Sequence, residues 1–266
     1  AHAEWIESEA DLAGLPDDVK QAARAAAEKD GDVAKRAGWK FTLHAPSYLP
    51  VLQFCDNRAL RERMYRAYAT RASEFGTAEW DNGPLINKIL ALRDEEARML
   101  GFASYAEVSL ATKMADTPTQ VADFLRDMAH KARPFAQRDV DELREFARQE
   151  LGLAELEPWD LSWASEKLKQ QRYSFSDEEV KQYFPEPKVL AGLFRVIESL
   201  FAVKLQADVA PAWHPDVRFF RIERDGRLIG QFYLDLYARE TKRGGSWMDD
   251  AITRRRIAAG VQTPVA

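Results

Sequence analysis

The feature that most constrains the fold is a hairpin pattern near the end of the chain. Residues 217–224 alternate between apolar and charged side chains, Asp225-Gly226 follows, and residues 228–237 alternate again. Asp-Gly is preferred in two-residue turns because both positions tolerate positive φ, and a period of two is typical of half-buried strands. The sequence therefore predicts two antiparallel strands joined by a tight turn.

The second strand of this pattern has two chemically different faces. The first face is entirely apolar and consists of Leu228, Gly230, Phe232, Leu234 and Leu236. The opposite face carries the phenols of Tyr233 and Tyr237 and the carboxylate of Asp235. A polar face of this kind is typical of a partly wet cleft, although an ordinary amphipathic strand over a core explains the same alternation. Tyr233, Asp235 and Tyr237 are candidate binding residues on the first interpretation.

Most of the chain before this region has a helical period. Asn57 is a good N-cap, and the Thr117-Pro118-Thr119-Gln120 sequence is a capping box that opens the longest helix. Pro134 lies inside that helix and should kink it. After about residue 201 the period changes from 3.6 to 2. We therefore predict a mainly α protein with a small antiparallel or mixed β-sheet near the C-terminal end. A mostly helical region, residues 1–202, precedes a small sheet segment, residues 203–266.

Composition excludes several classes of protein. The 38 basic and 43 acidic residues are interspersed and give a net charge of −5, which argues against nucleic acid as a partner. No run of apolar residues is long enough to span a membrane. A single cysteine, Cys55, rules out an internal disulfide and is expected to be a buried apolar residue. Without a signal peptide, the cytoplasm is the expected compartment.

A basic loop follows the second strand. Arg239, Lys242 and Arg243 stand close to Gly244 and Gly245. Glycines expose backbone N–H groups, and such groups beside positive charge can bind a carboxylate or a phosphate. A flexible basic surface loop is the simpler explanation of the same residues. On the binding interpretation these five residues join the three strand residues as candidate substrate-binding positions.

No complete catalytic or metal site is visible in the sequence. It contains no His-Glu-x-x-His, no Cys-x-x-Cys, no phosphate-binding glycine loop and no Gly-x-Ser-x-Gly. The histidines, which are His2, His44, His130 and His214, do not have the spacing of metal ligands on a helix. Asp249-Asp250 could bind a hard cation, but adjacent acids in a loop are common, and a solvated turn or a helix cap is the simpler explanation. We therefore predict neither a catalytic residue nor a metal ligand in this chain.

Four long stretches resemble the thimet oligopeptidase family of zinc metallopeptidases. They are residues 41–73, 87–118, 159–185 and 213–250. The resemblance extends from about Trp5 to Ala266, and its motifs are long and ungapped. It implies a two-lobed, channel-containing, zincin-like peptidase that hydrolyses short peptides. It also implies that residues 228–237 belong to a small sheet lining the channel, and that the long helices form channel walls.

The part of the family that carries the catalytic residues has no counterpart in this sequence. Family members are much longer and carry a His-Glu-x-x-His helix and a further zinc-ligating glutamate, so zinc is implied for the parent enzyme only. We therefore expect an internal fragment, inactive alone, whose partners are short peptide substrates and the missing C-terminal half of the enzyme. A sheet face left exposed would favour self-association. The alternative is a non-catalytic helical binding or regulatory protein derived from this fold.

Overall fold

The computed structural model describes residues 2–30, 37–239, 242–258 and 260–266. The chain divides into two compact units, residues 1–174 and residues 175–266. Helices dominate, and the strands form small antiparallel sheets, so the predicted fold class is confirmed. The predicted division into residues 1–202 and 203–266 was based on the expected roles of the two regions and not on compactness. It stays a prediction.

The first unit is helical apart from one short strand pair. Its helices are α1 (Asp17–Glu28), α2 (Ala45–Phe54), α3 (Arg58–Ala69), α4 (Gly83–Met99), α5 (Tyr105–Leu110), α6 (Pro118–Glu150) and α7 (Leu161–Tyr173). Strands β1 (Ala3–Ile6) and β2 (Trp39–Thr42) pair antiparallel. We did not predict β1, because four residues are too few to show an alternating pattern.

Local capping chemistry sets two of these helix starts as predicted. The Asn57 side chain accepts a hydrogen bond from the Leu60 N–H at 3.1 Å, and the Thr117 hydroxyl accepts one from the Gln120 N–H at 3.1 Å. Both bonds satisfy a backbone donor that the first helical turn leaves without a partner. Helix α6 continues through Pro134, and the predicted kink there stays a prediction.

The core of the first unit is closed. Its fully buried side chains include Leu12, Phe41, Leu60 and Met64. Cys55 is buried in the same cluster, as predicted, and burial raises the pKa of its thiol. These residues come from a short 3-10 helix (Glu9–Leu12), strand β2, the position just after α2, and helix α3, so the core forms within the first part of the chain.

A buried charge cluster joins α3 to the start of α7. Asp160 is fully buried and accepts hydrogen bonds from Arg58 at 2.6 Å and from Arg61 at 2.8 Å. Arg61, itself 1% exposed, also donates to the Cys55 carbonyl at 2.6 Å. Burial acts to raise the pKa of the Asp160 carboxyl, but the hydrogen bonds from the two arginines outweigh it and lower that pKa below its usual value. The carboxylate is thereby held ionised in the interior.

The second unit contains the predicted sheet. Its elements are α8 (Asp177–Lys181), α9 (Glu186–Phe201), β3 (Lys204–Asp208), β4 (Arg218–Arg224), β5 (Arg227–Leu234), β6 (Arg255–Ile257) and β7 (Gly260–Gln262). The antiparallel order is β3-β4-β5, and β6 and β7 form a separate hairpin. Asp225 and Gly226 have φ of 50° and 74°, as the predicted turn requires. The alternation predicted a strand as far as residue 237, but β5 ends at Leu234. Leu234 pairs with Arg218, the first residue of β4, so the residues after Leu234 have no partner on β4.

Helix α9 packs on one face of this sheet. The ring of Phe194 lies 5.1 Å from that of Phe220 and 6.4 Å from that of Phe232. The apolar face that we expected to be exposed is therefore covered at Phe232. The large apolar residues that α9 itself exposes are Val189, Leu193, Val196, Leu200 and Phe201. Self-association stays a prediction, and α9 now provides a more exposed surface for it.

Across the described residues, no helix is both long enough and apolar enough to cross a bilayer.

Candidate functional site

The two faces of β5 separate as the alternation predicted. Phe232 points to α9, whereas the ring of Tyr233 packs against Phe219 at 4.5 Å and Trp213 at 5.0 Å. The Tyr233 hydroxyl donates a hydrogen bond to the Pro211 carbonyl at 3.0 Å. Tyr233 therefore holds the segment between β3 and β4 against the sheet, and its hydroxyl already has a partner.

Asp235 is the centre of a polar cluster just beyond the end of β5. Arg239 donates to both of its carboxylate oxygens, at 2.8 and 2.6 Å. The Trp213 indole N–H donates to the same carboxylate at 3.1 Å, and the Lys242 ammonium lies 3.2 Å from it. We call Asp235, Arg239, Lys242 and Trp213 the Asp235 clasp. It joins three parts of the unit through one carboxylate.

The charges of the clasp stabilise one another. The hydrogen bonds from Arg239 hold the pKa of the Asp235 carboxyl well below its usual range, with Trp213 and Lys242 acting in the same direction and desolvation against them. The same contact raises the pKa of the Arg239 guanidinium. A charge-assisted, two-point pair of this kind is among the stronger side-chain contacts in proteins. Asp235 is thus an ionised structural acceptor rather than a proton donor.

Lys242 also folds the chain that follows the strand. Its ammonium donates to the backbone carbonyl of Asp235 at 2.6 Å and to that of Tyr237 at 3.2 Å. These bonds satisfy carbonyls that the end of β5 leaves without a strand partner. Arg239 and Lys242 share the one carboxylate of Asp235, so their charges are partly compensated and the clasp keeps a net charge of one positive unit.

Tyr237 connects this region to the start of α9. Its hydroxyl donates a hydrogen bond to the carboxylate of Glu186, and that carboxylate also forms an ion pair with Arg218 of β4. Tyr237 therefore contributes to the packing of the unit, although its ring is 48% exposed.

The other predicted residues lie outside the clasp. Arg243, Gly244 and Gly245 are exposed, and Gly245 has φ of 92°. The structure thus brings Asp235, Arg239 and Lys242 together, ties Tyr233 and Tyr237 to their neighbours, and leaves these three positions on an open loop.

Sequence reasoning did not find Trp213 or Glu186. Trp213 reaches Asp235 across 22 residues, and Glu186 reaches Tyr237 across 51. No local pattern marks a pairing of that separation. The single available signal was that Trp213 lies in one of the stretches that carry the family resemblance.

Both edges of the sheet are partly occupied. On the outer side of β5, the Gln231 N–H donates to the Pro264 carbonyl at 3.0 Å and the Tyr233 N–H to the Ala266 carbonyl at 2.8 Å. On the outer side of β3, the Leu205 N–H donates to the Glu198 carboxylate at 2.9 Å. A peptide adding to the sheet at these positions would need to displace those partners.

The described residues do not form a metal centre. No group of three or more His, Cys, Asp or Glu side chains within that part of the chain could hold a metal ion. His214 accepts a hydrogen bond from the Asp216 N–H at 3.2 Å, a local contact within the loop that precedes β4. The region around the clasp offers groups for non-covalent binding: aromatic rings, a basic side chain at Arg243 and the glycine N–H groups of the loop.

Comparison with known proteins identifies close relatives. Oligopeptidase A of Haemophilus influenzae is 52% identical over 266 residues, which make up 98% of this chain and 38% of the relative. Oligopeptidase A of Escherichia coli is 51% identical over 267 residues, with the same coverage. The dipeptidyl carboxypeptidase of Escherichia coli is 31% identical over 253 residues, 93% of this chain and 36% of that enzyme. The chain therefore spans well under half the length of the curated relatives it matches.

The family assignment rests on a match to most of the chain. Residues 51–266 match Peptidase family M3, and this range includes the buried charge cluster, the sheet and the whole Asp235 clasp. Because that match covers far more than half of the sequence, the chain belongs to peptidase family M3.

Proposed function

We propose that this chain is a segment of a zinc-dependent oligopeptidase that hydrolyses short peptides, supplying channel wall and sheet but not the metal site. The observation that carries this proposal is the 52% identity to an oligopeptidase A over 98% of the chain. The larger part of that relative has no counterpart here, since 38% of it is matched. The catalytic part belongs, in this proposal, to the remainder of the peptidase.

The zinc implied by the family does not fit the residues described here. Zinc in a peptidase requires three protein ligands, usually histidine and carboxylate. Within the described ranges no such group exists, and the sequence has no His-Glu-x-x-His. We therefore assign no step of the reaction to zinc bound by this chain.

The channel wall is the proposed role of the helices. In a two-lobed peptidase the long helices α3 to α6 would flank a channel that admits short peptides and excludes folded proteins. Both α4 and α6 expose large apolar side chains, among them Leu85, Ile89, Phe124 and Phe135. Such side chains suit either further protein or the apolar parts of a peptide.

The substrate-facing role belongs to the end of β5 and the loop after it. The eight candidates divide into two groups by their contacts. Asp235, Arg239 and Lys242, with Tyr233 and Tyr237, would hold the region in shape. Arg243, Gly244 and Gly245, which are exposed, would approach the peptide backbone or its carboxylate. The cytoplasm is the compartment we propose for this activity.

A second candidate function is a non-catalytic helical binding or regulatory protein derived from the same fold. The observation that favours it is the lack of a metal-binding group in the described part of the chain. The reading frame separates the two candidates. A frame that continues into His-Glu-x-x-His supports the peptidase, and a frame that stops after Ala266 supports the binding protein.

The direct test uses the product of the whole reading frame and a short peptide with a fluorophore and a quencher at its ends. We expect hydrolysis that a zinc chelator abolishes and that added zinc restores. Hydrolysis that is indifferent to chelation would overturn the zinc-dependent mechanism. A folded full-length product without hydrolysis of any short peptide would favour the binding protein.

A further inference from the structure

The exposed loop at residues 243–250 is anchored at both ends. Lys242, immediately before it, is bound into the Asp235 clasp. Immediately after it, the Ala251 and Ile252 N–H groups donate to the Val265 carbonyl at 2.8 and 2.9 Å, and the Val265 N–H donates back to the Ile252 carbonyl at 2.9 Å. Val265 in turn pairs with Gln231 of β5. Both anchors therefore connect the loop to the same strand.

Two glycines lie beside the first anchor. A Cβ atom at Gly244 or Gly245 would meet no atom within 4 Å, and Gly245 has φ of 92°, a conformation that side-chain-bearing residues rarely adopt. Glycine has the widest range of backbone conformations, and closing loops commonly turn on a few such positions at their ends. The two glycines therefore give the backbone beside the first anchor a conformational freedom that other residues would not have.

The tip of the loop carries two large apolar side chains in solvent. Trp247 is 60% exposed and Met248 is 82% exposed. A buried aromatic side chain contributes roughly 150–250 Å² of contact area, so these two residues fall well short of the roughly 800 Å² per partner that a stable protein interface buries. The area favours a small occupant over a second protein surface. Methionine adapts its shape to different apolar partners, which suits variable peptides.

We propose that residues 243–250 form a hinged flap that closes on a bound peptide, with Trp247 and Met248 contacting a large apolar side chain of that peptide. The proposal rests on the proposed function, because a peptide is the ligand. The proposal adds to that function two residues, Trp247 and Met248, that would favour peptides with a large apolar side chain. The Asp235 clasp is the fixed base from which the flap moves.

The experiment is photo-crosslinking of the 266-residue chain with a short synthetic peptide containing one benzoylphenylalanine. Its benzophenone reacts preferentially with methionine side chains that it touches, and mass spectrometry locates the adduct. Met114, which is 101% exposed, is the internal control for exposure alone. Trp247→Ala is paired with the control Trp80→Ala, because Trp80 is 57% exposed in the other unit.

We expect the adduct at Met248 to exceed that at Met114 by about tenfold. Trp247→Ala should lower it by about tenfold, since burying a large aromatic side chain contributes at least that factor to affinity, and Trp80→Ala should leave it unchanged. Equal adducts at the two methionines would overturn the flap. Adducts on β5 or its neighbours that avoid residues 243–250 would also overturn it while leaving the proposed function intact. A peptide that forms no saturable adduct anywhere on the second unit would overturn both.

Discussion

The two units bury their residues to different degrees. In the first, Phe41, Leu60 and Met64 are fully buried, and even the charges of Arg61 and Asp160 lie inside. In the second, Phe220 is among the most buried residues and keeps 7% exposure, while Leu193 and Leu200 on α9 are 48% and 71% exposed. The first unit thus has a closed core around Phe41, although α4 and α6 of the same unit expose large apolar side chains such as Leu85 and Phe124. The second has a thin aromatic layer, supported by the polar contacts of Glu186 and the Asp235 clasp.

This difference indicates where the rest of a peptidase would pack. A family member that is matched over 38% of its length has much more protein to place against the matched part. We expect that protein to cover the outward residues of α9 and the exposed apolar residues of α4 and α6, not the core around Phe41. The predictions below test this contrast, from the largest effect to the smallest.

Removing the buried carboxylate should have the largest effect. Asp160→Ala leaves Arg61 buried without its partner, and breaking a buried pair in this way costs about 4 kcal/mol. Urea unfolding of the variant measures the loss. The matched control is Asp94→Ala, which removes a carboxylate paired with Arg98 on the exposed surface of α4 and should cost at most about 0.5 kcal/mol. Equal losses in the two variants would contradict a closed interior in the first unit.

Removing the central ring of the second unit should have the next largest effect. Phe220→Ala deletes a ring that contacts both Phe194 and Phe232, and we expect a loss of about 3 kcal/mol confined to this unit. Hydrogen exchange should show faster exchange in β4 and β5 and no change in α2 and α3. The control Phe184→Ala alters a ring that is 63% exposed and should change nothing measurable. Faster exchange in both units would contradict their independence.

The clasp should contribute less, and in a pH-dependent way. Asp235→Asn removes a charge-assisted pair and should destabilise the second unit by about 1–2 kcal/mol at neutral pH. Because the pKa of Asp235 is lower in the folded state than in the unfolded state, its contribution is complete above the unfolded value of about 4. It should shrink as pH falls below that value towards the folded-state pKa. Unfolding of wild type and variant from pH 7 down to pH 2.5 tests this, and a constant difference would contradict it.

A charge placed on the exposed face of α9 should weaken self-association without lowering the free energy of unfolding. Leu193→Glu places a charge among the exposed apolar residues of α9 and should shift the chain towards monomer in sedimentation velocity. Ala191→Glu adds the same charge at an exposed position of the same helix away from the Val189–Leu193–Val196 side, and should have a smaller effect. A wild-type chain that is monomeric at all concentrations would contradict self-association.

Features set by neighbouring residues could be predicted from the sequence. The Asp225-Gly226 turn, the Asn57 cap and the opposite directions of Phe232 and Tyr233 all follow from residues a few positions apart. The partners of Asp160 lie 102 and 99 residues away, so only the assembled fold reveals them. The same holds for the clasp: its acid and bases were predicted as separate candidates, but their pairing with one another was not. The cover that α9 provides over Phe232 was also missed, because helix and strand patterns do not show which faces meet.

The most direct test of the account is the zinc content of the purified 266-residue chain, measured after equilibration with zinc, together with its hydrolysis of a short peptide. The account predicts far less than one bound zinc per chain and no hydrolysis, because the described residues provide no ligand group. One tightly bound zinc per chain with chelator-sensitive hydrolysis would contradict it and would place the catalytic centre within this chain.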